Sequence, residues 1–160
     1  MRNDYEIIEK YLKEDSKGTL EIENAQLSGI KIPGAKLCGA ILHGANLIGA
    51  DLSGVDLTGA KISGANFTGA NLSGANLTGV QFCQLSRFTP NSSNLTGVNL
   101  TGANLTGAIL FSVELRGANL TKANLSNANI SFADLTKANL TDVDLSSSDV
   151  IGAIGLPQLK

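Results

Sequence analysis

The side chains able to do chemistry are few in this 160-residue chain: His43 is its single histidine, and Cys38 and Cys83 are its two cysteines. A His/Cys metal centre needs several ligands converging at about 2 Å. A Ser-His-Asp relay needs a histidine held between its two partners. With one histidine, neither constellation is expected. The acids Asp51, Asp56, Glu114, Asp134, Asp144 and Asp149 are scattered, with no evident pair of the kind that splits carboxylate pKa values for acid and base work. Glycine strings such as GANLTG lack the Lys-Ser/Thr of a phosphate loop. The expectation is a non-enzyme with no catalytic, cofactor-binding or metal-binding residues and no cofactor.

Composition narrows the remaining classes. Charged residues make up 16% of the chain, against about 25% in average domains. Twelve basic residues face fourteen acidic ones, for a net charge of −2. Direct nucleic-acid binding would need a clustered basic surface. No apolar run approaches the roughly 18 residues of a membrane span, and the charged start MRNDYEIIEKYLKED does not read as a secretory signal. Eleven Asn-x-Ser/Thr sequons and only two cysteines favour a reducing, non-glycosylating compartment, most simply a bacterial cytosol.

The positioning elements emerge from an internal period. From Leu20 the chain repeats in fives: AKLCG, AILHG, ANLIG, ADLSG, VDLTG. Apolar centres run from Ile22 to Phe82 and again from Leu95 to Val150, 25 in all, each Leu, Ile, Phe or Val. Two residues before the centre stands Ala in 16 cases and Val in five. A period of five fits neither strand nor helix. It fits a chain that turns a corner every five residues and points one bulky and one small residue inward. Glycine two residues after most centres suits a turn needing positive φ.

The A-(N/D)-L-(S/T)-G pattern over roughly residues 20–152 resembles the pentapeptide-repeat family. That resemblance implies an all-β solenoid, a right-handed quadrilateral parallel β-helix of 20-residue coils, here with a short N-terminal capping α-helix. The composition is similar to that of cyanobacterial members. The division expected is a capping helix over 1–19, a first run over 20–84, a phase break over 85–92, a second run over 93–152 and a tail over 153–160.

A helix is predicted over 4–15, with Asn3 and Glu6 as a capping box, Gly18 as a stop, and Tyr5, Ile8 and Leu12 sharing a face. It would lie as a lid on the first coil. Thirteen residues separate Phe82 from Leu95, and this slip reads as a tolerated bulge in preference to a recognition loop carrying Arg87, Phe88 and Pro90. Residues 20 apart should stack, so Lys31 lies over Asp51, Lys36 over Asp56 and Lys122 over Asp142, while Glu114 over Asp134 is a like-charge exception. Asn46 over Asn66, Asn104 over Asn124 and Asn119 over Asn139 should form amide ladders. Cys38 and Cys83 lie too far apart for a disulfide, and read, with His43, as surface groups.

Function is left to the surface. Ile109 and Phe111 flank Leu110, Phe132 follows Ile130 and Ile151 follows Val150. These outward side chains, joined by Ile154, should form an apolar stripe on an otherwise polar surface, a candidate contact site. The leading expectation is a non-catalytic scaffold for protein–protein interaction, cytoplasmic, binding an unidentified protein or forming a homodimer through the stripe or the C-terminal end. The family resemblance adds an alternative, a DNA-mimicking binder or inhibitor of DNA gyrase or topoisomerase of the quinolone-protection type. The segment 20–152 carries nine acids and seven bases, a weak charge for a duplex mimic.

Overall fold

The computed structural model describes residues 3–14, 18–84 and 91–156. Helix α1 spans Asp4–Lys13, two residues shorter than expected. Asn3 caps it, its side chain accepting from the Glu6 N–H at 3.4 Å. Ile8 is buried beneath it, as the lid arrangement requires.

From Leu20 onward the backbone stacks in parallel. Glu21 bridges Ile41, Gln26 bridges Asn46, Lys31 bridges Asp51 and Lys36 bridges Asp56, each 20 residues on. Four pentapeptides therefore complete each coil. Among the described residues regular strands are few, because corners every five residues leave one bridged residue per pentapeptide. At each corner the centre's carbonyl accepts from the N–H three residues later, as from Ala45 N to Leu42 O at 3.1 Å. The residue two past the centre takes the positive φ of a type II turn, as at Gly69 (φ 65°). Ser112, Lys122, Asn127, Phe132, Lys137 and Asp142 occupy this slot with φ of 54–62°, where side chains cost more.

The centres and the small residues before them form one continuous core. Phe67 and Phe82 are fully buried and meet edge to face with centroids 6.2 Å apart. The phase break is an excursion that leaves the stacking intact. Asn66 bridges Asn94 and Gln81 bridges Ile109, both 28 residues on, and 20-residue spacing resumes with Asn94 and Glu114. Eight residues are thus inserted into one coil. At the base of the insertion β1 (Cys83–Gln84) and β2 (Asn91–Ser92) pair antiparallel, so the break is a hairpin stem and not a bulge. Ser93 N closes the corner onto Phe82 O at 2.9 Å, and its one hydroxyl proton is shared between the carbonyls of Ile62 (2.7 Å) and Phe82 (2.8 Å). Arg87, Phe88 and Pro90 lie outside the described residues.

The two ends differ. α1 covers the first coil, whereas Leu140, Val143, Leu145 and Val150 in the last coil are only half-buried. With Leu156 they line a hollow of about 430 Å³. No helix among the described residues is long and apolar enough to cross a membrane.

Candidate interaction surface

The outward side chains are held by a repeated local device. Asn or Asp just before a centre accepts, through Oδ1, from the N–H two residues on. Asn66 takes Thr68 N at 3.0 Å and Thr68 Oγ1 at 2.6 Å, and Asn99 takes Thr101 N at 3.1 Å and Thr101 Oγ1 at 2.7 Å. This is the turn chemistry that Asn and Asp favour. It explains the N-L-T triplet better than the amide ladders expected between Asn46 and Asn66, Asn104 and Asn124, or Asn119 and Asn139, whose oxygens are drawn into these turns or, at Asn46, toward Ile48 N. Amide contacts between coils run elsewhere, as from Asn99 Nδ2 to Asn71 Oδ1 at 3.1 Å. The same turns depress carboxylates. Asp56 is held below its ordinary value first by the Thr58 hydroxyl, Asp51 by Ser53 and Asp134 by Thr136.

The stacking of charges is as expected for Lys31 on Asp51 and Lys36 on Asp56, which are bridged residues. Lys122 N donates to Thr141 O beside Asp142. The like-charge stack of Glu114 on Asp134 has a partner that the spacing did not suggest. Arg116 reaches Glu114 Oε2 at 3.1 Å and Asp134 Oδ2 at 3.0 Å, so one guanidinium bridges both acids.

Of the two thiols expected at the surface, one departs from the expectation. Cys83 is buried, while Cys38 is exposed, and desolvation raises both thiol pKa values. Ser63 Oγ lies 2.7 Å from His43 Nδ1, a serine–histidine pair not anticipated from the sequence. Stacking at 20-residue spacing creates it. Ser63 is 1% exposed, and the Asn91 side chain from the hairpin stem rests on the adjacent Gly64. The pair therefore offers no open nucleophile. No group of His, Cys, Asp and Glu suited to a metal ion occurs among the described residues.

The apolar stripe is partly assembled. Phe111 and Phe132 meet edge to face, with centroids 5.4 Å apart at 64°. Phe132 N donates to Ile151 O at 2.8 Å, and the Phe132 ring lies against Gly152. Phe132 is 55% exposed and Ile151 67%. Phe111 and Ile109 are half-buried, Ile109 being bridged to Gln81 and Asn129. Ile154 is 55% exposed but bridges Asp134, which places it in the neighbouring column. Gly155 takes the centre position there, its backbone pressed against Leu135 and Thr136.

A family model of pentapeptide repeats matches residues 22–59, 50–84, 91–127 and 123–154, in eight copies. The chain belongs to the pentapeptide-repeat family. Solved structures similar to this pentapeptide-repeat chain include QnrB1, a plasmid-mediated fluoroquinolone resistance protein. It is 20% identical over 85% of this chain and 91% of that chain, with a TM-score of 0.45. Rfr23 from the cyanobacterium Cyanothece 51142 is 21% identical over 95% and 99%, with a TM-score of 0.43. A pentapeptide-repeat protein of the Arabidopsis thaliana thylakoid lumen is 28% identical over 74% and 70%, with a TM-score of 0.31. No curated protein matches the chain.

Proposed function

We propose that this pentapeptide-repeat chain is a non-catalytic scaffold presenting a rigid surface for protein–protein contact. Phe111, Phe132 and Ile151 form the contact site, and its occupant is a second copy lying alongside. The coil is taken as right-handed and four-sided, as in the family, and the setting as the cytoplasm of a bacterium.

One observation carries the reading. Phe132 holds a φ of 59° in a slot where glycine is the usual residue, yet leaves more than half its surface in water. Lys122, Lys137 and Asp142 hold the same slot with polar side chains that water solvates; Phe132 there exposes an aromatic ring beside Ile151, and an apolar contact outside the chain accounts for it. The alternative, a gyrase or topoisomerase mimic, draws on acids in the C-terminal half. Arg116 binds two of these, Glu114 and Asp134, which weakens an acidic stripe.

Site-directed cross-linking tests the contact. In a Cys38→Ser background, Ile151→Cys is expected to form a disulfide-linked dimer in dilute solution, while Thr121→Cys, two columns away, is not. Equal cross-linking at both positions contradicts the assignment.

A further inference from the structure

Two columns from the stripe, the solenoid carries a polar face of unusual regularity. Asn71, Asn99, Asn119 and Asn139 are bridged in succession along it, and each has Ser or Thr two residues on. The side chains repeat one geometry. Thr101, Thr121 and Thr141 each donate Oγ1–H, at 2.7 Å, to the Oδ1 of the asparagine two residues before. Each of those oxygens also accepts from the threonine N–H at 3.0–3.1 Å. Asn99 is tied further to Asn71 by the 3.1 Å amide contact between them. These bonds fix the rotamers before anything docks, so little side-chain entropy is left to lose. Each threonine hydroxyl donates within its own turn, which leaves its methyl and an oxygen lone pair for an outside contact.

The surroundings keep this face flat and uncharged. The corners beside it at Gly69, Gly74, Gly97 and Gly102 have open space where a side chain would begin. Between Lys61 and Glu114 the sequence holds one charged residue, Arg87, which belongs to the insertion. Toward the C-terminal coils, Lys122, Lys137 and Asp142 bring charge to the corners and limit the field. The pentapeptides 70–74, 98–102, 118–122 and 138–142 contain no aromatic residue.

That inventory excludes most partners. Nucleic acid finds no basic cluster on this face, an apolar protein patch finds no hydrophobic anchor, and a sugar chain finds no aromatic ring to stack on. A lattice of hydrogen-bonded water matches the face in both chemistry and repeat. Water molecules joined tetrahedrally at about 2.8 Å have second neighbours about 4.5 Å apart. Stacked coils repeat at about 4.8 Å. The mismatch is about 0.3 Å per coil, so across four coils it stays within about 1 Å.

We infer that the Asn-Thr face is an ice-binding surface, whose ligand is the ordered water at the surface of an ice crystal. This face is separate from the lateral stripe, and its use does not depend on a protein partner.

The test grows ice slowly from a dilute solution of the full-length chain and compares the protein content of the ice with that of the remaining liquid. The wild type is expected to be enriched in the ice. Thr101→Lys/Thr121→Lys, which places positive charge in the middle of the face and alters no core residue, is expected to lose that enrichment. Thr101→Tyr, a single bulky change on the same face, should lose it as well, with circular dichroism showing that the coils are intact. Phe132→Glu should partition as the wild type does. A wild type excluded from ice overturns the inference, and so does enrichment that both face variants retain. Retention on crystalline cellulose together with exclusion from ice overturns it in favour of a sugar lattice.

Discussion

Replacing Phe132 with glycine separates a residue kept for the fold from one kept for a partner. The substitution relieves the positive φ of 59°, worth about 1–2 kcal/mol for a side-chain-bearing residue in the left-handed region. Against this stands the loss of the edge-to-face contact with Phe111, about 0.5–1.5 kcal/mol. The greater freedom of glycine in the unfolded chain costs about 0.5–1 kcal/mol more. Because 55% of the ring's residue surface is already in water, little burial is forfeited. The terms cancel to within about 1.5 kcal/mol, which for a chain of this size moves Tm by no more than about 6 °C. Thermal and urea melts of dilute Phe132→Gly should therefore overlay those of the wild type closely, while its self-association is lost. A destabilisation beyond about 2 kcal/mol would refute the reasoning, because Phe132 would then be a structural plug for the last coils.

Three further outcomes follow from the packing and the turns. Phe67→Ala empties a fully buried site against Phe82 and should cost about 3–5 kcal/mol in urea unfolding. Asn99→Ala removes the acceptor for Thr101 N and Oγ1 and the amide contact to Asn71; the urea midpoint should fall by an amount equivalent to about 1–2 kcal/mol. Asp56 has its folded pKa below the ordinary 3.8, so its stabilisation is complete above that value and disappears as pH falls through the lower, folded one. Asp56→Asn keeps an Oδ1 acceptor without titrating, and its Tm should decline less steeply below pH 3.8 than that of the wild type.

Much of the architecture was legible because it repeats. Every pentapeptide carries the same inward pair, so 25 centres reported one geometry many times over. The 20-residue stacking interval correctly placed Lys31 on Asp51 and Lys36 on Asp56, and Asn3 with Glu6 marked the start of α1. Features met once in the chain were harder to read. The 13-residue gap between Phe82 and Leu95 concealed a hairpin stem, since five residues of regular spacing plus an eight-residue insertion resemble a slipped phase.

Contacts that cross columns or coils left weaker signals still. Arg116 lies two residues from Glu114 in sequence, and its reach to Asp134 depends on the 18-residue offset that stacking brings close. Ser63 beside His43 follows the same 20-residue rule that pairs the lysines with the aspartates, but carries no opposite charges to signal it. The Asn-Thr turns were signalled by the recurring N-L-T triplet, whose two-residue spacing is that of a side-chain cap. For the stripe, the sequence identified Phe111, Phe132 and Ile151 as outward residues. It could not separate Ile154, because Gly155 sits where a bulky centre was due and the column assignment rests on the bridge to Asp134.

The most direct test is the solution mass by multi-angle light scattering over a concentration series, for the wild type and for Phe132→Glu. A contact through Phe111, Phe132 and Ile151 predicts a wild-type mass climbing from 16.5 kDa toward twice that value, with Phe132→Glu held at the mass of one chain. A wild type fixed at 16.5 kDa throughout, or a dimer that Phe132→Glu leaves intact, would contradict it.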